Sequence, residues 1–124
     1  MSGVLLVALG GAIGSATRYL VSGWFASRFG SAFPYGTFAI NVTASFTIGF
    51  FLAFAQERVG LNPYWRLLFA VGFVGGYSTF STFEYEGVRL LLDREILLGS
   101  IYLVGSVVMG GVATICGIAF GSWI

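Results

Sequence analysis

The chain has 124 residues, of which 57% are hydrophobic and only 9% charged, with a formal net charge of +1 and a mean hydropathy of +0.92. Soluble domains carry about 25% charged residues, so this composition suits lipid, and so small a net charge excludes a nucleic-acid-binding field. One cysteine and no histidine exclude an intramolecular disulfide and argue against a zinc or haem centre.

The N-terminal segment lacks the positive region of a cleaved signal peptide, so it is expected to begin the first mature helix. A helix crosses the hydrocarbon with about 20 apolar residues, and four stretches meet that length. The expected spans are residues 3–26, with Arg18 as the one internal charge, then 35–56, 64–92 and 96–122. Asn62-Pro63 reads as a cap followed by proline in the first turn, and Gly60 as the end of the preceding segment. Asp93 and Glu95 stand where the fourth helix begins, at the end of the dipole that favours anions. No stretch remains for a soluble domain, so residues 1–124 form one all-α transmembrane unit acting in or across the membrane.

Loop charge is nearly balanced. Arg58 and Arg66 fall on the side of the N-terminus, second loop and C-terminus, while Arg28 and Arg94, with Arg89 near a helix end, fall on the other. Cytoplasmic loops normally hold the excess of Lys and Arg. The balance fits either insertion in both orientations or one orientation with a weak signal. A four-helix bundle fills its own centre, so a conduit would need a second copy. Gly10 and Gly14, and in the fourth helix Ser106, Gly110, Thr114, Gly117 and Gly121, are small residues that allow close backbone approach. They serve packing within one subunit or a seam between two.

The third span carries the least expected segment. Gly72, Gly75 and Gly76 are followed by Ser78, Thr79, Ser81 and Thr82. Glycine is unfavourable inside helices, and Ser and Thr offer the backbone competing hydrogen bonds. Together they predict a break at residues 75–79, in mid-membrane. Broken backbone survives in lipid only when buried in protein or lining a polar site, which leaves a self-satisfied kink or an ion site. Phe80 and Phe83 share a helical face directly after the break, and aromatic ring edges are partly positive. Asn41 interrupts the apolar second helix with Thr37 one turn before it, as helix glue or as an amide donor to an anion. Arg18 costs about 2.5–3.5 kcal/mol at mid-span and is expected to snorkel or to line a water-filled vestibule. Tyr102 and Ser106, four apart, offer a line of hydroxyls on the fourth helix.

The run GFVGGYSTFSTF at residues 72–83, GTFAIN at 36–41 and GGAIGSATRY at 10–19 together resemble the Fluc/CrcB family of small microbial fluoride channels. The similarity covers essentially the whole chain in length, motif order and spacing. It implies an antiparallel, dual-topology homodimer in a bacterial-type plasma (inner) membrane, multi-pass, with two fluoride pathways. It implies a structural sodium ion at the dimer centre, held by backbone carbonyls of Gly75 and Ser78. On the same basis Phe80 and Phe83 would line the pathway with their ring edges and Asn41 would be the pore asparagine. Arg18 would lie near the aqueous entrance, and Tyr102 and Ser106 would form the polar track with Ser81 and Thr82.

Ser78 stands where many relatives have threonine, which leaves a carbonyl ligand unchanged. Gly110 stands where some relatives have a hydroxyl. Glu84 follows Phe83 and is expected to point away from the path, because successive helical residues lie about 100° apart.

The function expected is passive fluoride export that protects the cell, with no enzymatic step, since no nucleophile–base or metal constellation is visible. The rival is a small proton-coupled multidrug exporter, which needs a membrane-embedded carboxylate that the first two helices lack; Glu84 and Glu86 are poorly placed for it. An accessory subunit of a larger complex is the third class.

Overall fold

The computed structural model describes residues 2–58 and 60–124, and these are helical with no strand among them. Helix α1 spans Ser2–Phe29 and α2 spans Tyr35–Gln56. The third span comes in pieces: α3 (Arg66–Val74) is wound as a π-helix, α4 (Gly75–Tyr77) is a single α-turn, and α5 spans Phe80–Leu92. Helix α6 spans Ile96–Trp123. Three of these, α1, α2 and α6, are long and apolar enough to cross a membrane unbroken. Their outward faces expose Val4, Leu5, Leu9, Leu97, Val104 and Val107, an apolar coat too large for a soluble monomer. This is a multi-pass membrane protein.

The turns follow from their sequences. Gly60 adopts a positive φ of 93°, and Asn62 Oδ1 accepts from the Tyr64 amide at 3.0 Å, as a capping asparagine does. Glu95 does occupy the position before α6, but its side chain makes no capping bond. Arg58 donates to the Ile124 carbonyl at 2.7 Å and stacks over Phe54, 4.4 Å from the ring centre. That places the second loop and the C-terminus at one end. Trp24, Phe29 and Tyr35 gather at the opposite end, where amphipathic rings suit a membrane interface.

Helix α1 packs on α3 and α4, α2 packs along α6, and α5 also leans on α6. Small residues make these contacts possible. A Cβ on Gly72 would lie 3.0 Å from the Gly10 Cα, and one on Gly76 would lie 2.6 Å from the Gly11 carbonyl oxygen. On the other side, a Cβ on Gly49 would come within 2.6 Å of the Thr114 carbonyl oxygen, and Gly117 meets the Phe46 backbone. Gly10, Gly14, Gly117 and Gly121 therefore pack within one subunit, which decides their part of the open alternative.

The break is narrower than residues 75–79. Gly75 and Gly76 stay helical, and the extended residues are Ser78 (ψ 159°) and Thr79 (φ −151°, ψ 122°). The glycines are used for the contact with α1, whereas the hydroxyl residues make the break. The Ser78 amide and its Oγ both donate to the Val74 carbonyl at 3.0 Å. Thr79 then caps α5 by accepting from the Thr82 amide at 3.3 Å, the bond expected of a threonine cap.

Candidate polar pathway beside the broken helix

Asn41 meets the break from α2. Its Nδ2 donates to the Thr79 carbonyl at 3.0 Å, and the Thr79 amide donates to its Oδ1 at 2.9 Å. The side chain thus pairs with one residue of extended backbone as a neighbouring strand would. Asn41 thus acts as glue, and its second Nδ2 hydrogen takes no part in this pair.

The diverted donors have a consequence for two carbonyls. In a continuous helix the Thr79 amide would bond to the Gly75 carbonyl and the Thr82 amide to the Ser78 carbonyl. Here both amides go to side chains instead, to Asn41 and to Thr79. Gly75 and Ser78 lose those helical donors, and both line the same central cavity of about 330 Å³.

That cavity is also lined by Asn41, Phe80, Phe83 and Ser106. Phe83 is 6% exposed and Phe80 is 73% exposed, with ring centres 6.0 Å apart. Tyr102 is fully buried, its ring 5.2 Å from that of Phe83. One turn along α6, the Ser106 hydroxyl is buried without any hydrogen-bond partner. An orphaned hydroxyl costs about 1–3 kcal/mol, so burial of Ser106 here is unfavourable as it stands. Ser81 is exposed and does not line the cavity.

A second space adjoins the first, and a third adjoins the second. A cavity of about 300 Å³ is lined by Ser15, Arg18, Ser22, Thr37, Ile40, Thr79 and Thr82, and Thr79 is shared with the central one. A cleft of about 450 Å³ at the α1–α2 turn shares Ser22 and Thr37 and adds Glu86 and Arg89. Arg18 turns to the backbone beside the break. Its Nε donates to the Gly76 carbonyl at 3.1 Å.

Sequence reasoning weighed Glu86 only for cation export and gave it no part in the polar track. In the structure Glu86 is partly buried, and its Oε1 accepts from the Tyr102 hydroxyl at 3.0 Å. The signal was its spacing, three residues after Phe83 and so on the same helical face. Glu84 is exposed and takes no part in the central cavity, as expected.

A family profile described as "CrcB-like protein, Camphor Resistance (CrcB)" matches residues 5–118. A relative from Trichormus variabilis, "Fluoride-specific ion channel FluC", is 47% identical over 118 residues, covering 94% of this chain and 86% of its own. One of the same name from Acidobacterium capsulatum is 45% identical over 118 residues, covering 95% of this chain and 94% of its own. Another from Geotalea daltonii is 42% identical over 124 residues, covering 100% of both. Channels by name, they favour neither an enzyme nor a multidrug exporter. With nearly its whole length matched by the family profile and by these relatives, the chain belongs to the CrcB family.

Proposed function

We propose that this protein is a fluoride-selective channel that lets fluoride leave the cytoplasm passively across a bacterial-type plasma membrane. The observation that carries the reading is the buried, unpartnered Ser106 hydroxyl in a cavity shared with Phe80, Phe83 and Asn41. Fluoride is small and strongly hydrated, so a path must replace its water with donors. The Ser106 hydroxyl, the free Asn41 hydrogen and the phenylalanine ring edges supply such donors without a net charge. Thr82 extends the polar lining towards the outer cleft, Tyr102 backs it from a buried position with its hydroxyl donated to Glu86, and Ser81 joins only if a second copy covers its exposed face.

The functional unit in this reading has four membrane spans per chain, the third broken, and is an antiparallel homodimer. Balanced loop arginines and the exposure of Gly75 and Phe80 support it. A break open to lipid would leave polar backbone unsatisfied, and a second copy of the same face would cover it. Sodium fits the carbonyl pair, since oxygen dipoles suit a hard cation and two chains would present four such oxygens. When bound, sodium would supply a fixed positive charge near a conduit of low dielectric.

The test is fluoride efflux from liposomes containing purified protein, followed by a fluoride electrode beside a chloride control. Rapid fluoride loss with chloride retained is the expected result. No fluoride loss from folded protein would refute the function.

A further inference from the structure

Arg18 sits inside α1, where a charge at mid-span is unfavourable, and it has no carboxylate partner among the described residues. Its Nε is instead committed to the Gly76 carbonyl at 3.1 Å, and the Ser15 Oγ, one turn earlier on α1, approaches the same oxygen at 3.5 Å. Gly76 lies in the last turn before the break. Carbonyls at a helix C-terminus have lost their i+4 donors and carry partial negative charge, and arginine side chains bond to such carbonyls. The α1 and α4 backbones touch here, since a Cβ on Gly76 would sit 2.6 Å from the Gly11 carbonyl oxygen. The side chain therefore bridges two rigid elements over a short distance.

We propose that Arg18 is a positioning residue. It anchors the carbonyl end of α4 through Gly76, and so sets the direction in which Ser78 and Thr79 launch α5 with Phe80 and Phe83. Its contribution is a hydrogen bond made by Nε, not a positive charge that draws the anion. Only the flux arm of its test rests on the fluoride reading.

The atom that makes the bond allows a sharp test. Glutamine has an amide nitrogen at the chain position of arginine Nε and carries no charge. Lysine keeps the charge but has a methylene there. Liposome fluoride efflux is measured for Arg18→Ala, Arg18→Gln and Arg18→Lys. Alanine should slow efflux about tenfold or more, as loss of a hydrogen bond from a charged donor implies. Glutamine should restore most of it, and lysine should stay as slow as alanine. Recovery by lysine and not glutamine would overturn the proposal, as would recovery by both, or by neither in folded protein.

A second measurement needs no variant. The chain has one Gly-Tyr pair, residues 76 and 77, so carbonyl-labelled glycine with nitrogen-labelled tyrosine singles out the Gly76 carbonyl by solid-state NMR, and arginine labelled at Nε supplies the second nucleus. A dipolar coupling from that carbon to an arginine Nε at about 4 Å is expected, given the bond lengths involved. Its absence in wild-type protein would overturn the proposal whatever the variants do. If wild-type vesicles pass no fluoride, the fluoride reading fails alone and the coupling still judges the clamp.

Discussion

Replacing Asn41 with leucine nearly conserves side-chain volume and removes both hydrogen bonds to Thr79. Each backbone group left without a partner costs about 1–3 kcal/mol, and the pair about 2–6 kcal/mol. Lipid offers no water to replace the lost partner. The Thr79 amide has one escape, which is to return to the Gly75 carbonyl and continue α4 through the break. That would recover one bond, bringing the expected loss to about 1–3 kcal/mol, and would re-aim Phe80 and Phe83. Unfolding in detergent, followed by tryptophan fluorescence, measures the stability change. Amide exchange at Thr79 measures the break directly, and fluoride efflux should fall with it. Stability within about 0.5 kcal/mol of wild type, the range of an inconsequential substitution, with unchanged Thr79 exchange, would refute the clamp.

Ser106→Ala removes a buried hydroxyl that has no partner, so thermal stability should hold or rise while fluoride efflux slows; unchanged efflux would remove Ser106 from the pathway. Phe83→Ile should cripple efflux in folded protein by removing a ring edge from the cavity, and full efflux would end the aromatic role. Gly76→Ala should destabilise by about 1–3 kcal/mol through overpacking against α1. By contrast Gly105→Ala, where nothing lies within 4 Å, should be neutral or mildly stabilising, and a denaturation series on both variants compares them.

How much of this molecule could be read in advance depends on the kind of physics involved. Membrane residence followed from composition, because 9% charge cannot clothe a water-soluble surface. The ends of α2 and the cap at Asn62 followed from local propensity, which acts within a few residues. The existence of a break also followed, since glycines and hydroxyls side by side weaken a helix wherever it lies. Which residues would break was not local: the same glycines are helical here because α1 occupies the space that their missing side chains leave. The π-winding of Arg66–Val74 inserts one residue into the hydrogen-bond ladder and has no compositional signature.

Partnerships between distant residues belonged to tertiary structure altogether. Asn41 with Thr79, Arg18 with Gly76 and Tyr102 with Glu86 join residues that are separated along the chain and meet only once helices pack. Sequence could mark Asn41 and Arg18 as costly in lipid, and therefore as needing partners. Packing alone chose those partners. In doing so it paired both polar intruders with backbone carbonyls beside the break, and left the buried Ser106 hydroxyl without a hydrogen-bond partner.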